Sequence, residues 1–308
     1  MTITGKIDIH QHVLPPFWAD HLKRHPSPHR LPEWSPESAL ASMDAQGIAK
    51  GYLSLSVPGV QPWPVEERAD AARRVNTYTA ELVDRFPGRF GNLATLPLPD
   101  IGAALAETAY ALDTLGADGV VLFTAYGDAY LGAARFEPLW DELDRREAVV
   151  LIHPDSPALP SIEGIPASLV DFPFATTRTA VDMVFKGVMD RHPKLRVVLS
   201  HAGGFLPYAA DRFALGGSTL PGAPDRESLM AAFRRFYLDT ALSTSPLVIP
   251  SLTAFADPGH IVFGSDFPYA AGMAEEFTAA LDGSTLLTAA QLTAITHENA
   301  DAILSGSA

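Results

Sequence analysis

Short apolar runs that each end in a histidine or an aspartate most constrain what this sequence can fold into. The runs at 149–152, 197–200 and 261–265 lead to His153, His201 and Asp266. The chain opens in the same way, because Ile7 and Ile9 alternate with polar residues before His10 and His12. Residues two apart on a strand share a face, so His10 and His12 can aim two imidazoles at one point. Such a pair suits a divalent metal ion.

Predicted strands alternate with predicted helices along the whole chain. The strands are expected at 6–10, 52–56, 90–98, 119–123, 149–153, 195–200, 236–240 and 261–265. Among the helices, one starts at Ser35-Pro36 and stops near Gly47, since serine is a good N-cap and proline a good first helical residue. This alternation predicts a (β/α)8 TIM-like barrel.

Two proline-rich stretches interrupt the alternation. Residues 13–18 and 21–32 are predicted as an irregular insertion after strand 1, and 154–177 as another after strand 5. A connection as long as the second one is typical of a lid or a binding loop. We therefore expect these two insertions to contribute to the site.

A doubly wound open sheet is the alternative fold for such an alternation. The first strand, however, is not followed by a glycine-rich phosphate-binding motif. A barrel also explains why the candidate ligands follow strands one, five, six and eight, because a barrel gathers its strand ends into one active site. A chain of 308 residues could form two domains, but α/β barrels of this size form one, so we expect a single barrel domain over 1–308.

Composition argues against several classes of partner and chemistry. With 22 basic and 36 acidic residues the formal charge is −14, which disfavours nucleic acid and anionic membranes as partners. The chain has no cysteine, so neither disulfides nor thiolate chemistry is available. A charged strand begins at once, which leaves no room for a signal peptide, and no apolar run reaches the roughly 18 residues of a membrane span. We expect a cytoplasmic protein.

Within a barrel, His10, His12, His153 and Asp266 form a candidate metal shell of three nitrogens and one oxygen. Water or substrate would take an open position, as in catalytic zinc sites. Zinc suits this ligand set best, and manganese is the alternative because oxygen contributes. Each histidine taken singly, His201 included, is as well explained as a buried residue with satisfied hydrogen bonds. The convergence of several strand ends favours the metal site.

These residues lie in motifs that resemble the amidohydrolase superfamily. The motifs are His10-x-His12, LIHP at 151–154, LSHAGG at 199–204 and GSDFP at 264–268. Within the superfamily, the chain resembles the decarboxylase branch of aminocarboxymuconate semialdehyde decarboxylase and γ-resorcylate decarboxylase. The segment DFPFATTR at 171–178, followed by the 201–207 block, resembles 6-methylsalicylate decarboxylase-like members in particular. The resemblance covers nearly the whole chain.

The resemblance implies a metal-dependent, non-oxidative decarboxylase of a small aromatic, hydroxybenzoate-like acid, such as 6-methylsalicylate, or of a related dienoic acid. It implies one metal ion, because the predicted fourth strand has no lysine to bridge a second, and no organic cofactor. The histidine that matches His201 acts as acid or base, or polarises a metal-bound water, in this branch. Asp266 would bind the metal and also pass a proton. Protonation of the ring carbon before C–C cleavage avoids a free aryl anion.

Substrate contacts are expected from residues on the loops and helices around the strand ends. The branch implies a homodimer in which Arg212 meets the substrate carboxylate of the neighbouring subunit; an ordinary surface arginine is the alternative. Arg178 could clamp a carboxylate or serve a structural role. Asp239, after strand seven, could orient a ligand histidine or be structural. Flat apolar walls for an aromatic ligand, or simple loop packing, would come from Phe17, Trp18, Trp63 and Phe172.

Two other functions compete with decarboxylation. A metal-bound hydroxide could instead attack an amide, ester or lactone, which would make the protein a hydrolase with the same ligand set. The third hypothesis is a barrel that has lost its chemistry and only binds a small molecule. Metal analysis separates this binding protein from the two enzymes, and transfer of solvent oxygen to the product separates the hydrolase from the decarboxylase.

Overall fold

The computed structural model describes residues 2–25, 31–155, 162–270 and 272–306. Within them, eight parallel strands follow one another in chain order around a barrel. The strands are β1 (Lys6–Val13), β2 (Ile48–Leu55), β3 (Phe90–Thr95), β4 (Gly119–Phe123), β5 (Val149–His153), β6 (Arg196–Leu199), β7 (Tyr237–Asp239) and β8 (Ile261–Val262). Backbone hydrogen bonds from Ile9 to Phe263 and from His12 to Phe267 join β1 to the segment after β8 and bring the ring nearly to closure. The predicted (β/α)8 barrel is confirmed.

Helices surround the strands and close one end of the barrel. In chain order they are α1 (Pro16–Arg24), α2 (Pro36–Gln46), α3 (Arg68–Arg85), α4 (Ile101–Asp113), α5 (Glu137–Arg145), α6 (Ala167–Phe185), α7 (Val188–Arg191), α8 (Leu206–Gly217), α9 (Arg226–Arg234), α10 (Ile249–Phe255), α11 (Ala274–Asp282), α12 (Ala289–Thr293) and α13 (Asn299–Ser305). A short antiparallel pair, Ala125–Tyr126 with Ala129–Tyr130, follows β4. No helix of the described ranges has the length and apolar character needed to cross a membrane.

Local chemistry accounts for the helix that was predicted from Ser35-Pro36. The Ser35 hydroxyl accepts a hydrogen bond from the Ser38 backbone N–H, and the Ser38 hydroxyl accepts one from the Ser35 backbone N–H. This reciprocal pair is a capping box for the first turn. The helix ends at Gly47, which is left-handed with φ 70°. A Cβ there would lie 2.3 Å from the Ile3 carbonyl oxygen, so this close chain crossing requires glycine.

The interior of the barrel is an apolar cluster distinct from the larger core between strands and helices. Ile7, Ile9, Leu93, Val121 and Leu151 are among its members, and each comes from a strand. Ala300 and Ile303 of α13 belong to the same cluster, so this helix closes the amino-terminal end of the barrel. The carboxyl-terminal ends of the strands are left for polar side chains.

A β-bulge in β1 decides which way its histidines point. Asp8 pairs with Gly51 and Gln11 with Leu53, so β1 advances three residues while β2 advances two. Strict alternation would put His10 on the face opposite Ile9. The extra residue re-aims the strand, as bulges beside active sites often do, and the His10 and His12 Nε2 atoms end 3.2 Å apart.

The prediction that both insertions are irregular was wrong in part. Helix α1 lies inside the first, because Pro16 starts it and Trp18 and Leu22, one turn apart, are buried on one side. Helix α6 begins at Ala167 inside the second and contains Pro173, since packing of a buried face that includes Ala175 and Ala180 outweighs the proline. Residues 26–30, with His29, and 156–161 lie outside the described residues.

Candidate metal centre and substrate cavity

Four predicted ligands meet at the carboxyl-terminal end of the barrel. One oxygen of Asp266, Oδ1, lies 3.1 Å from His12 Nε2 and 3.4 Å from His10 Nε2. The ring of His153 stands edge-on to the rings of His10 and His12, with centroids 5.2 and 4.8 Å away. All four residues are buried, and one ligand atom from each lies within 4.8 Å of the others.

A polar group holds the Nδ1 atom of each candidate ligand histidine. His153 Nδ1 donates to the carbonyl of Pro154 (2.8 Å), and His12 Nδ1 lies 3.2 Å from both the carbonyl and the hydroxyl oxygen of Ser54. His10 Nδ1 lies 2.7 Å from the carboxylate of Asp239. The Nε2 atoms of His10 and His12 both point at Asp266, and the set of ligand atoms is that of a catalytic metal site.

The spacing of these atoms fits a divalent ion. Ligand atoms about 2.0–2.1 Å from a tetrahedral metal stand roughly 3.3 Å apart. The distances of 3.1–3.4 Å among His10 Nε2, His12 Nε2 and Asp266 Oδ1 match that value. The residues present could hold such an ion without rearrangement of the barrel.

Asp239 and Asp8 fix the geometry from behind. Besides His10, Asp239 accepts hydrogen bonds from the backbone of His201 (2.8 Å) and Ala241 (3.0 Å), so one carboxylate orients two site histidines. The 2.7 Å contact with His10 places Asp239 where it could orient a ligand histidine, which stays a prediction because no metal ligand has been shown. Asp8 accepts from the His10 backbone (3.1 Å) and from the hydroxyl of Ser265 (2.6 Å), which ties β1 to the segment that carries Asp266.

Electrostatics in the cluster reflect burial set against neighbouring charges. Burial opposes protonation of His10, but the Asp239 carboxylate outweighs it and raises the pKa of His10 to about 9. Burial holds the pKa of His153 well below its usual range, and the adjacent His12 and His10 lower it further. Burial also opposes ionisation of Asp266, yet hydrogen bonds from His12 and His201 keep its pKa well below the ordinary value.

His201 lies beside the candidate metal ligands rather than among them. Its Nε2 atom is 3.3 Å from Asp266 Oδ2, the oxygen that faces away from His10 and His12. Its backbone is left-handed (φ 56°), as is that of Ala202 (φ 54°), a costly conformation that tends to cluster at functional sites. His201 and Asp266 thus form a hydrogen-bonded pair at the edge of the cluster.

A cavity of about 460 Å³ opens above this pair, in the size range of small-molecule sites. His153, His201 and Asp266 form its floor. Its walls are mostly apolar and come from Val57, Pro166, Ala167, Leu169, Phe172, Leu242, Tyr269 and Met273, with Ser56 and Ser168. No lysine or arginine of the described chain lines it. The shape and chemistry suit a small flat acid whose charge is balanced at the floor.

Of the residues predicted to contact substrate, Phe172 lines the cavity, with its ring 6.2 Å from that of His153. The other aromatic candidates do not, because neighbouring side chains engage them. Trp63 is buried and stacks on His21 at 3.7 Å, and Phe17 lies beneath the guanidinium of Arg74 at 4.3 Å. Trp18 is fully buried in a small apolar cluster that also contains Trp63, with Phe17 packed against it.

The two arginines also lie outside the cavity of their own chain. Arg178 stacks over the rings of Tyr130 and Phe174, which directs its guanidinium away from the cavity. Arg212 is exposed on α8 and borders a separate groove with Phe185 and Phe213. Whether Arg212 serves a second subunit stays a prediction.

Sequence reasoning missed Asp8 and Tyr269. Asp8 stands two residues before His10, and Tyr269 three residues after Asp266 on the same turn, so proximity to a ligand was the available signal. The sequence pattern does not show the β1 bulge beside Asp8 or the turn after Asp266, and these two features bring the side chains to the site. Leu242 and Met273, also on the cavity wall, carried no sequence signal at all.

The barrel and the His–Asp cluster define an α/β-barrel protein with a candidate metal site at the carboxyl-terminal ends of its strands, and comparison with known proteins supplies the family. A family model described as amidohydrolase matches residues 7–305, so the chain belongs to the amidohydrolase family. It is 40% identical over 281 residues to the 6-methylsalicylic acid decarboxylase of Penicillium expansum, covering 86% of each chain.

Solved structures agree with this assignment. A structure described as amidohydrolase II superimposes with a TM-score of 0.91 at 32% identity and covers 98% of this chain and 100% of its own. The structure of 2,6-dihydroxybenzoate decarboxylase in complex with 2,6-dihydroxybenzoate matches with a TM-score of 0.83 at 25% identity, covering 98% of this chain and 100% of its own. The predicted superfamily is confirmed.

Proposed function

We propose that this chain is a metal-dependent, non-oxidative decarboxylase of a small hydroxylated aromatic acid. The observation that carries the proposal is the His10–His12–His153–Asp266 cluster at the floor of an apolar cavity sized for one aromatic ring. The relatives named as decarboxylases of 6-methylsalicylic acid and 2,6-dihydroxybenzoate support the same substrate class. Among such acids, 6-methylsalicylate is the first to test.

The chain's own residues would divide the reaction as follows. A bound divalent ion would supply positive charge that holds the carboxylate and its neighbouring hydroxyl at the cavity floor. Phe172 and Tyr269 would orient the ring between them. Asp266 or His201, which share a hydrogen bond of 3.3 Å, would deliver a proton to the ring carbon that carries the carboxylate. The C–C bond then breaks, its electron pair restores the aromatic ring, and CO₂ leaves.

The test combines metal analysis with product analysis. Purified protein is assayed for bound metal and incubated with 6-methylsalicylate and other hydroxybenzoates in D₂O. We expect CO₂ release and one deuterium at the vacated ring carbon. In H₂¹⁸O, the product should contain no solvent oxygen. Incorporation of ¹⁸O would instead identify a hydrolase, and a metal-free protein that binds these acids without turnover would identify a binding protein.

We also propose a homodimer in which Arg212 reaches the partner's cavity. Two observations support it. The cavity lacks its own lysine or arginine among the described lining residues, and a neighbouring groove that shares His201 and Leu242 with it carries exposed apolar side chains, with Tyr208 89% and Leu247 90% exposed. Tyr208 and Arg212 share helix α8, one turn apart. Sedimentation tests the dimer. Mixing Arg212→Ala with His201→Ala subunits should then restore activity at one of the two sites, and exchange without restoration would contradict the shared site.

Three finer assignments complete the proposal. Zinc is proposed as the ion because three imidazole nitrogens dominate the donor set, and elemental analysis would separate it from manganese. A cytoplasmic location is proposed on the absence of cysteine, and cell fractionation tests it. One folding unit over 1–308 is proposed, for which a single calorimetric transition is the expected result.

A further inference from the structure

Tyr269 places a polar atom on the cavity wall that nothing in the described chain satisfies. Its hydroxyl oxygen is buried and has no hydrogen-bond partner there. The same side chain lines the cavity that holds His153 and Asp266. Native proteins rarely leave a buried hydroxyl unpaired, and an exception calls for an explanation such as a ligand.

The backbone around Tyr269 is held firmly, so the position of its hydroxyl is set before any ligand arrives. The Asp266 carbonyl accepts a hydrogen bond from Ala270 (3.0 Å), which closes a turn around Tyr269. The His12 backbone donates to Phe267 (2.7 Å) and ties the turn to β1. The Tyr269 ring also stands edge-on to His12, 5.4 Å between centroids and at 88°. This turn therefore fixes the hydroxyl relative to two of the candidate metal ligands.

We propose that the Tyr269 hydroxyl donates a hydrogen bond to an oxygen of the bound aromatic acid, either its carboxylate or the neighbouring hydroxyl. The inference rests on the proposed function, and it makes Tyr269 a substrate-positioning residue. The acid offers acceptor oxygens, the described cavity wall is otherwise mostly apolar, and a fixed donor selects the orientation that brings the scissile bond to Asp266 and His201.

Ser56 gives the alternative explanation, because its side chain lies on the same wall and near enough to the Tyr269 hydroxyl to lower its pKa, although no hydrogen bond of ordinary length joins the two. If Tyr269 served only to bond Ser56, its hydroxyl would contribute to stability and not to binding. Removing the hydroxyl would then lower Tm, and Ser56→Ala would reproduce the loss. If Tyr269 serves the substrate, Tyr269→Phe should leave Tm unchanged or slightly higher, since an unpaired buried group is removed.

The experiment compares Tyr269→Phe with Tyr126→Phe. The Tyr126 hydroxyl accepts a hydrogen bond from the Phe123 backbone (3.0 Å) and lies in the core, so its loss should lower Tm and leave kcat/KM near wild type. For Tyr269→Phe we expect kcat/KM on 6-methylsalicylate to fall about 3- to 10-fold, the effect of one neutral hydrogen bond, with metal content unchanged.

Calorimetric titration with benzoate and 2-hydroxybenzoate identifies the acceptor. A weaker Kd for both acids in Tyr269→Phe indicates the carboxylate, and a weaker Kd for 2-hydroxybenzoate alone indicates the ring hydroxyl. Unchanged Kd values and kcat/KM would overturn the inference, as would a Tm loss that Ser56→Ala reproduces. If the wild-type protein neither binds nor decarboxylates any hydroxybenzoate, the proposed function fails; if it does both and Tyr269→Phe matches it, the inference alone fails.

Discussion

The two ends of the barrel bury charged side chains in opposite ways. At the amino-terminal end, the fully buried Lys6 donates to the Gln46 carbonyl (2.8 Å) and to the carboxylate of Asp282 (3.0 Å). At the carboxyl-terminal end, the buried carboxylate of Asp266 faces the Nε2 atoms of His10 (3.4 Å) and His12 (3.1 Å). At the amino-terminal end, the Lys6 ammonium group neutralises the Asp282 carboxylate. At the carboxyl-terminal end, the ligand atoms around Asp266 are arranged to bind a metal cation from solution.

This difference matches the division of labour in such barrels, where the amino-terminal face stabilises and the carboxyl-terminal face catalyses. The backbone shows the same contrast. Of the left-handed non-glycine residues in the described chain, four lie at the carboxyl-terminal end (His201, Ala202, Leu242 and Asp266), and one, Glu147, precedes β5 at the amino-terminal end. The other end is covered by α13, whose Ile303 carbonyl accepts a hydrogen bond of 2.7 Å from Arg196. Left-handed backbone is thus concentrated, though not confined, at the end where the candidate site needs particular side-chain directions.

The largest expected effect comes from the carboxylate at the cavity floor. Asp266→Asn keeps the shape but removes both a ligand charge and a proton carrier. We expect kcat/KM to fall by about 10²–10⁴-fold, the range for loss of a general acid. Steady-state kinetics measure it, with metal content determined on the same sample. Activity within a few-fold of wild type would contradict the role given to this end of the barrel.

The matched change at the opposite end is Asp282→Asn. It leaves the Lys6 cation buried with neutral partners, so the free energy of unfolding should fall by about 3 kcal/mol. Because Asp282 does not line the cavity, kcat/KM measured well below the melting temperature should stay near wild type. Denaturant unfolding and kinetics together check this. A large kinetic defect without loss of stability would contradict the assignment of stability to the amino-terminal end and catalysis to the carboxyl-terminal end.

Two glycine substitutions test how closely the backbone packs around the candidate metal ligands. A Cβ at Gly264 would lie 2.8 Å from the His10 Cβ and 3.2 Å from the Asp239 carboxyl carbon. Gly264→Ala should therefore displace this orienting pair and weaken metal binding about 10- to 100-fold. Gly259→Ala is the control, because its Cβ would meet nothing within 4 Å. Metal titration of both variants should separate them, and equal affinities would mean that the His10–Asp239 contact does not tune the site.

The smallest effect concerns a surface ion pair that belongs to neither end. Hydrogen bonds from Arg191 and then His192 to Glu137, which joins α5 to α7, lower the pKa of Glu137 to about 2. A carboxylate with a lowered pKa in the folded state stabilises above its ordinary pKa of about 4.3 and loses that contribution as the pH falls toward 2.

Glu137→Gln should cost on the order of 1 kcal/mol at pH 7, as expected for a partly exposed pair. The difference from wild type should shrink between pH 4.5 and the acid limit of folding. Thermal unfolding across that pH range measures it, with exposed Glu81→Gln as the control. A difference that does not change with pH would show that the pair does not stabilise through its charge.

The fold was predictable from the sequence because eight apolar runs separated by helical segments leave few other arrangements. The cluster was predictable too, since residues at the ends of β1, β5 and β8 must meet once the barrel is accepted. The α6 helix was not, because the prolines of residues 154–177, with Pro173 inside the helix itself, suggest a loop and only packing against the barrel favours the helical form. The roles of Trp63 and Phe17 were equally open, since an aromatic loop residue can face a cavity or a core.

The sequence was sufficient to predict the barrel and the candidate metal ligands, because local patterning carries that information. Its composition also shows that the chain is acidic and contains no cysteine. Only the tertiary structure shows that the β1 bulge turns both His10 and His12 to the inner face that Ile9 also occupies, that Asp239 holds His10 there, and that Tyr269 brings an unpaired hydroxyl to the cavity. These features depend on contacts between segments that are 42–43 residues apart for β1 and β2 and 229 residues apart for His10 and Asp239, and no periodicity along the chain encodes such distances.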